Sequence, residues 1–214
     1  TVESSHKAPA ELSSYEAILR FHDFEATFSP DKLSSALAAL RRAVKREPDC
    51  GLAWSMLARA YATNYGLEML DELTPIDDAL EYAQRGAHPL TSNQPAVVNL
   101  ALVHLLAGNL AEGKEQLYRG LDLNSNSLMM LDASGYLLTL LGEWDRGTEL
   151  IREAIARNPY HRPVVRHALW LAHYRLEEYE EAYEQTRIVT LPSLFWHHLM
   201  QAATLYHLGR TEEA

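Results

Sequence analysis

One cysteine in 214 residues leaves Cys50 without an internal partner. No intrachain disulfide can form, and a thiolate metal cluster is excluded. Between Asp49 and Gly51, at an expected helix junction, Cys50 reads as a small neutral filler, which suits a reducing compartment. Long apolar runs are missing as well. No stretch of 18 apolar residues occurs, so no segment reads as a membrane-spanning helix. Thr1-Val2-Glu3-Ser4-Ser5 has neither a basic start nor an apolar core, so it does not read as a signal peptide, and a cytoplasmic location is the expectation. Positive charge is also scarce. Nineteen basic against 29 acidic side chains give a net charge of −10 with His neutral. A chain of that sign is not expected to track a phosphate backbone, so direct nucleic-acid contact is not expected. The balance mildly favours a basic partner, though a charged and soluble surface is the plainer reading.

The usual signatures of chemistry are absent too. Ten histidines invite a metal, but a helical zinc pair needs His at i and i+4, and no such pair occurs. His167 and His173 fall on opposite faces of one helix, and His197-His198 are adjacent. Gly135 follows Ser134 without a nucleophile elbow, and there is no glycine-rich nucleotide cradle. Acid pairs such as Glu180-Glu181 suit the starts of helices. No catalytic residue, metal site or cofactor is expected, and the segment does not read as an enzyme.

What the chain does have is a period. Gly108 and Gly113 are followed 34 residues later by Gly142 and Gly147. Glu177 and Ala182 come after 35 more, then Gly209 and Ala214 after 32. Between these marks run amphipathic stretches with apolar residues three and four apart, the signature of helices. They are expected at 14–28, 30–47, 51–66, 75–87, 94–107, 110–122, 128–141, 144–157, 161–176, 179–190 and 194–208. Pro30, Pro48, Pro159 and Pro192 punctuate them. One hairpin is overlong: Gly51 to its counterpart Gln94 is 43 residues where the period is near 34. The surplus falls at 67–75, which reads as an extended helix or an ordered loop and as a candidate functional insertion. Residues 1–10 read as a disordered lead-in and 11–214 as one domain. The half-built hairpin after Gly209 reads as part of a longer protein.

The stretch Trp54-x2-Leu57-Ala58-x2-Tyr61 resembles the first helix of a tetratricopeptide repeat, with Ala58 where that family prefers Gly. Gly135, Gly142, Gly147, Ile151, Ala154 and Pro159 stand in the same pattern's order, and the likeness extends over 13–214. It is weaker at 13–48 and at 161–192, where Trp170 replaces a small residue. The resemblance implies an all-α, right-handed solenoid of about five and a half helical hairpins. Trp54, Leu57, Tyr61, Ile151 and Ala154 are then expected to be buried between hairpins. Leu123-Asn124-Ser125-Asn126 and Leu141-Gly142-Glu143-Trp144-Asp145-Arg146-Gly147 further resemble repeat regions of bacterial signalling proteins. In those proteins the repeats follow an adenylate or guanylate cyclase domain or a winged-helix DNA-binding domain.

In that family the first helix of each hairpin lines a concave groove. Carried over by position, the groove offsets are Leu52, Ser55, Arg59 and Thr63, then Val98, Leu102 and Leu105, then Met129, Asp132, Tyr136 and Thr139. Val164, His167, Leu171, Tyr174 and Arg175 follow, with Trp196, Leu199, Tyr206 and His207 on the last helix. Arg59, Asp132, Tyr136, His167, Tyr174 and Arg175 are the expected partner-binding residues, being polar or aromatic where core packing favours aliphatic side chains. The clamp for chaperone tails that some relatives build from Lys and Asn is not expected, since Arg59 alone could serve. The expected function is a non-catalytic regulatory module that takes a protein or peptide partner in the groove. A small-molecule sensor driving a fused output domain is an alternative, and so is a homodimer through the apolar end of helix 194–208.

Overall fold

The computed structural model describes residues 13–88, 93–189, 191 and 193–213. The expected lead-in at 1–10 lies outside them. Chain contacts gather into two compact units, one ending at Asn124 and one beginning at Ser125.

The first unit holds three helical hairpins. They are α1 (Ser14–Glu25) with α2 (Pro30–Arg46), α3 (Gly51–Leu67) with α4 (Ile76–Gly86), and α5 (Gln94–Leu106) with α6 (Leu110–Leu123). Local chemistry sets several of the starts. Ser13 and Glu16 form a reciprocal capping box: the Ser13 hydroxyl accepts from the Glu16 N–H (3.2 Å), and the Glu16 carboxylate accepts from the Ser13 N–H (2.9 Å). Pro30 occupies the first turn of α2, and Asn93 caps α5 by accepting from the Ala96 N–H (3.1 Å). First helices also pack on first helices, α1 on α3 and α3 on α5, so successive hairpins share one apolar core that includes Phe21, Phe24, Leu37, Leu57 and Val103.

The surplus at 68–75 is an ordered loop and not a longer helix. Glu68 ends α3 in the left-handed region (φ 48°). The buried Asn64 amide then ties the loop down: its N–H groups donate to the Glu72 carbonyl (2.9 Å) and Thr74 hydroxyl (3.1 Å), and its oxygen accepts from the Leu70 N–H (2.9 Å). Met69 and Leu70 pack on the core, and Leu73 stays exposed.

The second unit holds α7 (Leu128–Leu140) with α8 (Trp144–Arg157), α9 (Arg166–Arg175) with α10 (Tyr179–Arg187), and then α11 (Phe195–His207) against α10. Among the described residues all regular structure is helical. Two expectations are corrected. The helix expected from 161 begins at Arg166, because Pro163 holds Arg162 in an extended conformation and opens a 3-10 turn over Pro163–Val165. The helix expected after Gly209 is a single 3-10 turn, Thr211–Glu213, closed by an Arg210–Glu213 ion pair (2.7 Å).

Leu57, Tyr61, Ile151 and Ala154 are buried as expected, while Trp54 is half-buried. Its indole N–H donates to the Pro48 carbonyl (2.8 Å), and Arg85 (4.8 Å) and Tyr82 (5.4 Å) cover the ring. Gly142 turns the chain between α7 and α8 at φ 83°, and Glu177 takes the equivalent left-handed position after α9 at φ 61°, where a side chain is strained.

The α7–α8 crossing is the tightest contact in its unit. A Cβ on Gly147 would lie 2.7 Å from the Thr139 backbone nitrogen, and one on Gly135 would lie 2.8 Å from the Gly147 carbonyl oxygen. Gly147→Ala is therefore expected to force the helices apart and lower the unfolding free energy by about 1–3 kcal/mol in chemical denaturation. A midpoint equal to the parent's would show that this crossing does not limit the packing.

Candidate interaction surface

Several of the offsets expected to face outward carry polar side chains, and some of these are tied to a neighbouring first helix. In the first unit Arg59 of α3 pairs with Glu25 of α1 (2.6 Å) and donates to Asn99 of α5 (2.9 Å). Asn99 donates in turn to Ser55 (2.9 Å), and His22 lies 2.9 Å from Glu25. One guanidinium thus stitches three first helices together. Ser55 and Val98, both groove offsets by resemblance, are buried.

The second unit repeats the motif with other chemistry. Asp132 of α7 is 3% exposed and forms an ion pair with Arg162, whose extended backbone before Pro163 lets the side chain reach back. Tyr136 packs on the Ile151, Val165, Ala168 and Leu169 cluster, and burial raises its hydroxyl pKa. His167 of α9 and His197 of α11 are 3% and 4% exposed, with their ring nitrogens 3.2 Å apart and their rings stacked. Burial first, and then the neighbouring His197, push the His167 pKa down to about 4; burial and His198 lower that of His197. The Trp170 indole N–H donates to Thr204 (2.8 Å), a contact that spans one repeat period. Tyr174 stacks on Trp170 (4.7 Å) and meets Tyr179 and His207 edge-on, and those two lie parallel at 4.4 Å. Arg175 is exposed and sits over the Trp144 ring at 4.5 Å.

Of the six expected site residues, Arg59 belongs to the first unit and Asp132, Tyr136, His167, Tyr174 and Arg175 to the second. Within the second, Asp132 and His167 are buried, Tyr136 and Tyr174 half-buried, and Arg175 free to solvent on one side. Glu25, Asn99, Arg162, His197 and Trp144 complete these contacts and were not read from the sequence. Large apolar side chains stand exposed beside them. Met129 on α7 and Trp196, Leu199 and Tyr206 on α11 are all open, Tyr206 the most at 68%. Elsewhere, an open pocket of about 280 Å³ lies between Pro48, Asp49, Trp54, Arg85 and His88 in the first unit, smaller than a typical small-molecule site. Among the described residues no cluster of His, Cys, Asp and Glu could hold a metal ion.

Solved structures place this architecture. A thermophilic tetratricopeptide-repeat protein of Thermus thermophilus is 18% identical and superposes with a TM-score of 0.67, over 91% of this chain and 100% of that one. The fold is the tetratricopeptide-repeat fold. A tetratricopeptide-repeat protein from Parabacteroides merdae is 17% identical, with a TM-score of 0.51 over 92% of this chain and 74% of that one. No protein-family model matches the sequence, and no curated protein matches it. Among the described residues no helix is long and apolar enough to cross a membrane.

The buried imidazoles make this tetratricopeptide-repeat fold sensitive to acid. A His whose folded pKa lies below its unfolded 6.5 binds more protons when unfolded, so stability falls as pH falls from 6.5 towards 4. Lowering the pH from 7.5 to 5 is expected to cost on the order of 2 kcal/mol at His167. His167→Asn should flatten that part of the stability profile in urea titrations; an unaltered slope would mean that the pair does not stay neutral in the fold.

Proposed function

We propose that this chain is a non-catalytic interaction module that takes a segment of a partner protein on the first-helix face of its second unit. One observation carries the reading. Met129, Trp196, Leu199 and Tyr206 fall at offsets that the resemblance turns towards the groove, and all four are exposed, while the polar residues around them are already held by neighbours. Exposed bulky side chains on a rigid scaffold are the mix from which binding anchors are drawn, and Trp and Tyr lead among them. Tyr174 and Arg175, on the first helix α9, contribute as well. Arg59 serves chiefly to hold α1, α3 and α5, and a groove role for it rests on position alone.

A regulatory place within a larger cytoplasmic signalling protein of bacteria, joined to a cyclase or DNA-binding output domain, rests on the short motifs at 123–126 and 141–147. The structural neighbours add nothing to that part.

The test selects binders from a library of short displayed peptides on the purified chain, then measures them on Trp196→Ala and Tyr206→Ala variants that melt like the parent. Losses of about tenfold or more are expected, as for anchor residues of an interface. Binders that hold equally well to both variants would move the site off this face.

A further inference from the structure

Two helices of the second unit are joined through a pair of histidines. His167 of α9 and His197 of α11 are both buried, and Nε2 of the first lies 3.2 Å from Nδ1 of the second. That gap holds one proton, donated by one ring and accepted by the lone pair of the other. The Trp170 bond to Thr204 is a second tie between α9 and α11, and the Thr204 hydroxyl itself donates to the Met200 carbonyl (2.7 Å). Towards α10, Gln201 reaches the Thr186 carbonyl over 3.5 Å, and Arg210, just past α11, covers the Tyr183 ring.

The groups around the pair do not compensate a further proton. His198 brings its ring within 5.6 Å of His197 and is itself a base. Arg166, beside His167 in the chain, donates to Gln185 of α10. The carboxylates of the packed elements are engaged elsewhere: Asp132 of α7 with Arg162, Glu149 and Glu153 of α8 with Arg146 and Arg157, and Glu184 of α10 with Arg187. Asp145 of α8 and Glu180 and Glu181 of α10 stand in solvent. His173 pairs with Glu178 (2.6 Å), and His207 is exposed against Tyr179. Among the described residues no carboxylate acts on either buried ring. An added proton then has two places to go. At a facing nitrogen it sets two donors against each other, and at a far nitrogen it leaves a buried charge without a counter-ion.

We propose that this pair is an acid-operated latch: taking up a proton detaches α11 from α9 and α10 while the α7–α8 hairpin stays closed. Opening carries both rings into water, where the charged form is solvated, so the open state binds protons more readily and acid favours it. The effect is local because of where the histidines lie. Neither α7 nor α8 carries one, and their close crossing at Gly135 and Gly147 has no titrating group in it. Trp196, Leu199 and Tyr206 ride on α11, so release moves all three. An imidazole that goes from about 4 in the closed form to its ordinary 6.5 in the open one raises the opening constant about tenfold between pH 7.5 and 5.5.

The experiment is amide hydrogen exchange of the whole chain at pH 7.5 and 5.5, read segment by segment and corrected for the pH dependence of exchange in an unfolded chain. Residues 195–207 are expected to lose protection by about tenfold or more at pH 5.5, while 128–157 keep theirs. In a His167→Asn, His197→Asn double variant the ratio between the two pH values should fall close to one. That ratio is informative even if the variant holds α11 less tightly at both pH values. His207→Gln, at the exposed end of the same helix, should leave the parent's ratio unchanged. Protection of 195–207 that does not respond to pH would overturn the latch, and so would a double variant that keeps the parent's ratio. An equal loss over 128–157 and 195–207 would overturn it as well, in favour of a unit that opens all at once.

Discussion

Backbone meets backbone where α7 crosses α8, and the rest of that unit is arranged around the contact. With hydrogen atoms in place of side chains at Gly135 and Gly147, the helix axes draw close enough for Ile151 to pack against Gly135. A hairpin built this way still has an apolar side that its own two helices cannot cover, so it survives by lending that side to the next hairpin. The need for neighbours explains why the polar ties run between first helices, Arg59 to Glu25 and Asn99 in one unit and Trp170 to Thr204 in the other. Apolar burial drives the stacking, and these directional bonds select its register.

The architecture was legible because it is written as a repeat. Gly108, Gly142 and Gly209 each mark a left-handed turn after a first helix, a conformation that glycine adopts without strain, so their spacing reveals the period directly. Leu57, Tyr61, Ile151 and Ala154 follow from the same register. The positions of helix ends were less legible where two signals competed. His161 and Arg162 continue an amphipathic pattern, yet Pro163 overrides it by excluding helical geometry from the residue before it.

The candidate surface was half legible. Periodicity says which side of a helix a residue occupies, so Asp132, His167, Tyr174 and Arg175 could be named. It does not say what that residue meets, because the partner comes from a different helix. Arg162 sits in a loop with no helical phase, and nothing in the sequence ties it to Asp132. His197 gains its meaning only from the arrival of His167. Trp54 shows the opposite limit: the pattern places it between hairpins, and the local Pro48 carbonyl and the Arg85 side chain leave it half in solvent.

Asn64 has a consequence for how this fold can change over time. By closing the 68–75 loop at its base with bonds to Glu72, Thr74 and Leu70, one amide separates the length of the loop from the spacing of the helices on either side. Chain entropy is a weak brake on such a loop, since each doubling of its length adds about 0.6 kcal/mol. Residues can therefore be added or removed around the exposed Leu73 while the helices keep their phase. The junction is a place where new sequence can accumulate and acquire a use without the stack having to be rebuilt.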